Sequence, residues 1–114
     1  MRSALAALAL ALAGLTATAA FGHMLNVFAF VEDGEVVVES RFSNGNAPQV
    51  GEVRVLDGAN VPVLVLPLAE DGTARFSLDP DVAATGLLIE VSTGGGHDNY
   101  WILTPDDIAR GTEN

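Results

Sequence analysis

Several residue types are missing or scarce in this chain of 114 residues, and each absence excludes a class of chemistry. There is no cysteine and no lysine, which excludes disulfide bonds, thiolate nucleophiles and Schiff-base lysines. A glycine-elbow serine is also missing, and two histidines are the whole supply of imidazole bases. We therefore predict a protein that is not an enzyme.

Positive charge is scarce as well. The chain has five basic residues, all of them arginine, against fifteen Asp and Glu, which gives a formal net charge of −10. We predict no nucleic-acid partner, because a phosphate backbone selects a basic surface. Such an acidic chain suits a cationic ligand, a basic partner or solubility alone.

The start of the chain differs in composition from the rest. Arg2 precedes a run of alanine and leucine, and small residues follow that run. This is the layout of a secretory signal peptide, and the apolar run is too short to span a membrane. Cleavage after Ala19, Ala20 or Gly22 satisfies the small-residue rule. We predict a signal peptide over residues 1–22 and export to the periplasm; an uncleaved membrane anchor is the alternative.

The remaining residues alternate between β-rich runs and turn residues. Asp33 and Gly34 lie between two such runs and form the strongest short-range hairpin signal. Strands are predicted at 23–32, 35–43, 52–57, 61–68, 73–78, 87–92 and 100–103. Pro62 and Pro67 cannot donate ladder hydrogen bonds, so the fourth strand is expected at a sheet edge or broken.

Seven short strands separated by turn residues predict an all-β fold. We expect a single domain over 23–105, a seven-stranded antiparallel sandwich of the immunoglobulin-like or transthyretin-like type. Brief helical turns are predicted at Asp79 and at Thr104, where a capping residue precedes a proline. Residues 106–114 are expected to form a polar tail that does not pack.

Strand order predicts that both histidines lie at one end of this sandwich. In a seven-stranded sandwich the start of the first strand and every second loop gather at the same end. His23 begins the first strand, and His97 lies in the last of these loops. Other donors expected at this end are Asn44, Asn46, Gln49, Asp71 and Asp98. Imidazole is the commonest metal ligand, so the pattern favours a metal site; the alternative is two surface histidines near each other by chance.

The signal cleavage site decides the chemistry available at His23. A cut after Gly22 makes His23 the first residue, whose α-amine and ring nitrogen chelate one metal ion, with His97 as a third nitrogen. A cut after Ala20 leaves a Phe-Gly-His terminus, a square-planar nitrogen site suited to Cu(II) or Ni(II). A cut after Ala19 creates no special terminus.

Three segments have a familiar pattern: HMLNVFAFVEDGEVVVESRFSNGNA, AEDGTARFSL and STGGGHDNYWIL. Through them the chain resembles the small exported accessory subunit of nickel/cobalt energy-coupling-factor transporters (NikL/CbiL type), within the wider carboxypeptidase-regulatory-like sandwich class. The match covers nearly all of 23–104. Its most particular parts are the opening His-x-Leu-x-Val-Phe-Ala and the late Gly-His before an aromatic strand. The resemblance implies metal-handling roles for His23 and His97 and membrane subunits of a metal transporter as partners.

We therefore predict a periplasmic metal-binding accessory of nickel or cobalt uptake. In this hypothesis His23 and His97 hold Ni(II) or Co(II), and Asp98 or a loop carboxamide completes or orients the site. One alternative is a non-catalytic interaction module of the cell envelope that uses an edge strand or loops, for which metal is incidental. Another is a copper-binding protein with an N-terminal histidine chelate.

Overall fold

A computed structural model describes residues 23–112, which contain seven strands and one helix. The strands are β1 (Leu25–Glu32), β2 (Glu35–Phe42), β3 (Glu52–Asp57), β4 (Pro62–Pro67), β5 (Thr73–Ser77), β6 (Leu87–Ser92) and β7 (Asp98–Leu103), and the helix is α1 (Pro105–Thr112). The predicted signal peptide, 1–22, lies outside this range. In the part of the chain that is described, no helix is long and apolar enough to cross a membrane.

The strands form two antiparallel sheets packed as a sandwich, which confirms the prediction of a seven-stranded antiparallel sandwich. One sheet has three strands in the order β1-β2-β5, and the other has four in the order β4-β3-β6-β7. The proline-bounded strand β4 lies at the edge of the four-stranded sheet, as expected from its missing N–H groups.

The core lies between the sheets and follows from period-two alternation. On β1 the side chains of Leu25, Val27, Ala29 and Val31 are buried, and those between them are exposed or half-buried. The most deeply buried side chains of the other strands are Val36, Val38, Val53, Val55, Ile89, Val91 and Leu103. Branched aliphatic residues suit a sheet with one buried face, and their burial is the main driving force for folding in a domain without cysteine.

The β1–β2 hairpin sets the register that positions the candidate site. Asp33 and Gly34 both have positive φ, 52° and 79°, as a two-residue type I′ hairpin turn requires. From this turn the two strands pair without interruption to their far ends, where Leu25 lies opposite Phe42.

The C-terminal segment packs against the sandwich, which the sequence did not predict. Instead of one helical turn and a polar tail, α1 extends over Pro105–Thr112. Ile108 packs against the core, and a Cβ atom at Gly111 would lie 2.5 Å from Cβ of Val31 on β1. The helix approaches β1 this closely because Gly111 has no side chain. A segment with one large apolar residue gives too weak a pattern to predict a packed helix.

Candidate metal site

The β2–β3, β4–β5 and β6–β7 loops meet at one end of the sandwich, as strand order predicted. The β2–β3 and β4–β5 loops meet at Gly72, where a Cβ atom would lie 3.0 Å from Cδ of Pro48. Ser40 Oγ donates a hydrogen bond of 2.6 Å to the Gly72 carbonyl. The β6–β7 loop joins this end through His97, whose ring lies edge-on to that of Phe42 with 5.4 Å between ring centroids.

The backbone of His97 is fixed within its own loop. The N–H and Oγ1 of Thr93 donate to the His97 carbonyl at 3.0 and 3.1 Å, and the His97 N–H donates to the Gly94 carbonyl at 3.1 Å. Gly94, Gly95 and Gly96 all have positive φ, of 81°, 61° and 81°. Residues with side chains rarely adopt three such conformations in a row, so the glycines let the loop turn tightly and present the half-buried imidazole.

His23 lies at the same end, two residues before the start of β1, and is exposed. The pairing of β1 with β2 continues towards it beyond the regular strands. The Ser43 N–H donates to the Met24 carbonyl at 2.8 Å, and the Met24 N–H donates to Ser43 Oγ at 3.2 Å. The residue next to His23 is therefore tied to the start of the β2–β3 loop.

A hydrogen bond joins β1 and β7, the two strands that the histidines precede. Asn99 Nδ2 donates to the Leu25 carbonyl at 2.7 Å, which connects β7 of one sheet to β1 of the other. His23 lies two residues before Leu25, and His97 lies two residues before Asn99. Leu25 in turn pairs with Phe42, the residue that the His97 ring contacts.

The sequence analysis did not predict the role of Asn99, although its position in the chain indicates one. Asn99 is half-buried and shares its face of β7 with Trp101 and Leu103, which contact the core. A polar residue at an inward position of a strand needs a hydrogen-bond partner, and a backbone carbonyl of the facing sheet supplies it.

Asp98 lies on the outer face of the four-stranded sheet, away from the contact between the His97 ring and Phe42. It is the first residue of β7, pairs with Ser92 and is exposed. Alternation places it with Tyr100 on the outer face of the four-stranded sheet, where both line an open cavity of about 360 Å³ with Glu52. Among the contacts of residues 23–112, none joins the Asp98 carboxylate to the His97 ring, so its role as a ligand stays a prediction.

The other predicted donors include two that are engaged within their own loops. Asn44 Oδ1 accepts a hydrogen bond of 3.0 Å from the Asn46 N–H. One oxygen of Asp71 accepts from Thr73 Oγ1 at 2.6 Å and from the Thr73 N–H at 3.1 Å. These two bonds, the hydroxyl bond first, hold the pKa of Asp71 below its usual value. Gln49 is exposed.

Over residues 23–112, no three His, Cys, Asp or Glu side chains lie close enough together to hold a metal ion. A metal held at this end by the two imidazoles needs a further donor of another kind. No protein-family model, no curated protein and no solved structure matches the chain.

Proposed function

We propose that this protein is a periplasmic metal-binding accessory that holds a divalent ion, Ni(II) or Co(II), at the loop end of the sandwich and catalyses no reaction. The observation that carries the proposal is the hydrogen bond from Asn99 to Leu25. It links β1 and β7, and each histidine of the chain lies two residues before one of the two bonded residues. His97 also contacts Phe42, the pairing partner of Leu25.

The coordination that we propose uses nitrogen donors. The rings of His23 and His97 supply two of them, and imidazole suits nickel and copper as well as zinc. The α-amine of His23, released by signal cleavage after Gly22, supplies the third. This group is not a side chain, so the site does not need three ligating side chains in one place. In this proposal a loop carboxamide completes the set, and Asp98 has the role of orienting it.

The fold type and the partners belong to the same proposal. The arrangement of strands as β1-β2-β5 and β4-β3-β6-β7 supports an immunoglobulin-like or transthyretin-like sandwich. The segments that resemble the NikL/CbiL type support a place beside the membrane subunits of a metal transporter. The acidic surface suits a protein that attracts cations before binding them.

Intact mass of the protein recovered from the periplasm, measured with and without Ni(II), tests cleavage and metal binding together. We expect a chain that begins at His23 and binds about one Ni(II) ion. His97→Ala should lose most of the nickel affinity in a calorimetric titration. Asn26→Ala, an exposed polar residue on β1 outside the proposed ligand set, should keep it.

Two results would overturn the proposal. One is an unchanged nickel titration of His97→Ala. The other is a chain cut after Ala20 that binds Cu(II) with the same affinity whether or not His97 is present, which would identify the copper-chelate alternative.

A further inference from the structure

The edge strand β4 and its flanking residues are apolar throughout, and residues 61–65 are nevertheless exposed. Residues 61–68 read Val-Pro-Val-Leu-Val-Leu-Pro-Leu. The exposed fractions are 51% at Val61, 42% at Val63, 38% at Leu64 and 55% at Val65. A strand with one face in water normally carries polar residues at alternate positions. A contiguous apolar surface on a small protein instead marks an interaction site.

This apolar surface continues into a groove between the two sheets. β4 is an edge of the four-stranded sheet, and β5 is an edge of the three-stranded sheet. The groove has a volume of about 180 Å³ and is lined on its apolar sides by Val63, Leu64, Phe76 and Val82. Val82, in the segment after β5, is itself 36% exposed. The groove therefore has room for an apolar side chain from outside the domain.

Two prolines restrict how a partner can bind at this edge. Pro62 and Pro67 bound β4 and have no N–H group, so an added strand finds unobstructed backbone only at the four residues between them. Prolines on edge strands protect against pairing with other chains. Recognition at β4 therefore depends on side chains that enter the groove more than on a backbone ladder.

One acidic residue, Asp79, lines the groove, and Asp81 follows two residues later in the chain; we call these two residues the acidic rim. The carboxylate of Asp79 accepts hydrogen bonds from the N–H groups of Asp81 and Val82 at 3.0 and 3.4 Å. These contacts hold the segment that carries Asp79, Asp81 and Val82 in a fixed turn. Negative charge thus stands beside the apolar residues of the groove.

The arginines on the bordering strands do not offset this charge. Arg54 on β3 lies 3.9 Å from Glu90, and Arg75 on β5 lies 3.6 Å from Glu32. The chain has no lysine and a net charge of −10. A second copy would bring a second acidic rim to the same place, and like charges at an interface oppose association. Charge complementarity therefore favours a basic partner.

We propose that the groove between β4 and β5 docks a segment of another protein that presents a large apolar side chain flanked by lysine or arginine. The apolar side chain enters between Leu64 and Val82, and the basic groups face Asp79 and Asp81. This surface does not include His23 or His97, so docking and metal binding can be tested separately.

The test uses two synthetic peptides and the full chain labelled with ¹⁵N. One peptide is acetyl-Lys-Lys-Leu-Phe-Leu-Lys-Lys-amide, and in the other each lysine is replaced by glutamate. In amide NMR titrations, the lysine peptide should shift the signals of Leu64, Phe76 and Val82, and the glutamate peptide should not. Leu64→Ser should weaken the lysine peptide about tenfold or more. Ile102→Ser, at an aliphatic residue of β7 that is 56% exposed, should leave its affinity unchanged.

Equal binding of both peptides, or unchanged affinity in Leu64→Ser, would overturn the proposal. So would a dimer that forms with rising concentration in sedimentation and is lost in Leu64→Ser, since the occupant would then be a second copy. The amide spectrum of each variant shows whether it is folded. If Leu64→Ser does not fold, Val82→Ser at the opposite side of the groove provides the same test.

Discussion

Thr104 and Asp107 close the N-terminus of α1 through reciprocal hydrogen bonds. The Asp107 N–H donates to Thr104 Oγ1 at 3.1 Å, and Asp107 Oδ2 accepts from the Thr104 N–H at 3.1 Å. Arg110 donates to the other oxygen of Asp107 at 2.6 Å. The bond from the Thr104 N–H is the largest cause that holds the pKa of Asp107 below its usual value, followed by the Thr104 hydroxyl and Arg110. The order Thr-Pro-Asp-Asp made this cap predictable from the sequence.

Thr104→Ala should raise the pKa of Asp107 towards its ordinary value, because it removes the hydroxyl and loosens the cap. The pKa of Asp107 is lower in the folded than in the unfolded chain. The cap therefore stabilises the fold at pH values above the unfolded pKa, and this stabilisation is lost as the pH falls through the folded pKa. An NMR titration of the Asp107 carboxyl carbon measures this change. Thr112→Ala, at the other end of α1, should leave the pKa of Asp107 where it is, and an equal shift in both variants would contradict the capping argument.

At the scale of elements, the strands were predictable and some of their ends were not. β3 and β6 have the predicted bounds, because β-rich runs with clear turn residues beside them define both. β7 begins at Asp98, two residues before the predicted start, because Asp98 and Asn99 pair with Ser92 and Val91. Their composition is typical of a loop. Pairing with a distant strand decides such a boundary, and local composition does not contain that information.

Gly111→Ala should destabilise the protein, although alanine favours helices. The added Cβ would lie 2.5 Å from Cβ and 2.8 Å from the carbonyl oxygen of Val31, so the last turn of α1 must move away from β1. We expect a loss of about 1–3 kcal/mol of unfolding free energy, typical of overpacking. Denaturant unfolding followed by circular dichroism measures it. Ala109→Ser, at an exposed position of α1, should change the unfolding free energy by less than about 0.5 kcal/mol. Equal stability of the two variants would show that the close contact between Gly111 and Val31 is not needed to hold α1 against β1.

At the scale of the whole molecule, topology made part of the candidate site predictable. Strand order alone predicts that His23 and His97 share one end, because a sandwich fixes which loops lie together. The face of the sheet on which Asp98 lies depends on strand register, and the hydrogen bond from Asn99 to Leu25 depends on the spacing between the sheets. Register and spacing follow from packing along the entire core, so the local sequence around His97 does not predict them.

Ile89→Ala should destabilise the domain strongly, because no disulfide supports its core. The Ile89 side chain has 0% exposure on β6 at the centre of the sandwich. Truncation of a buried isoleucine costs about 2–5 kcal/mol, a large share of the total stability of a domain of this size. Chemical unfolding of the variant measures the loss. Ile102→Ala, at a residue of β7 that is 56% exposed, serves as the control and should lose far less unfolding free energy. Similar losses in the two variants would show that Ile89 is not at the centre of the core.

The contact between Asn99 and Leu25 also has a consequence for how the fold is completed. These residues are 74 positions apart and belong to the last and the first strand. The β1–β2 hairpin consists of contacts that are close in sequence, whereas the contact between β1 and β7 joins the two ends of the domain. Contacts of such long sequence separation close late and slowly. We therefore expect the end of the sandwich that carries His23 and His97 to form last during folding.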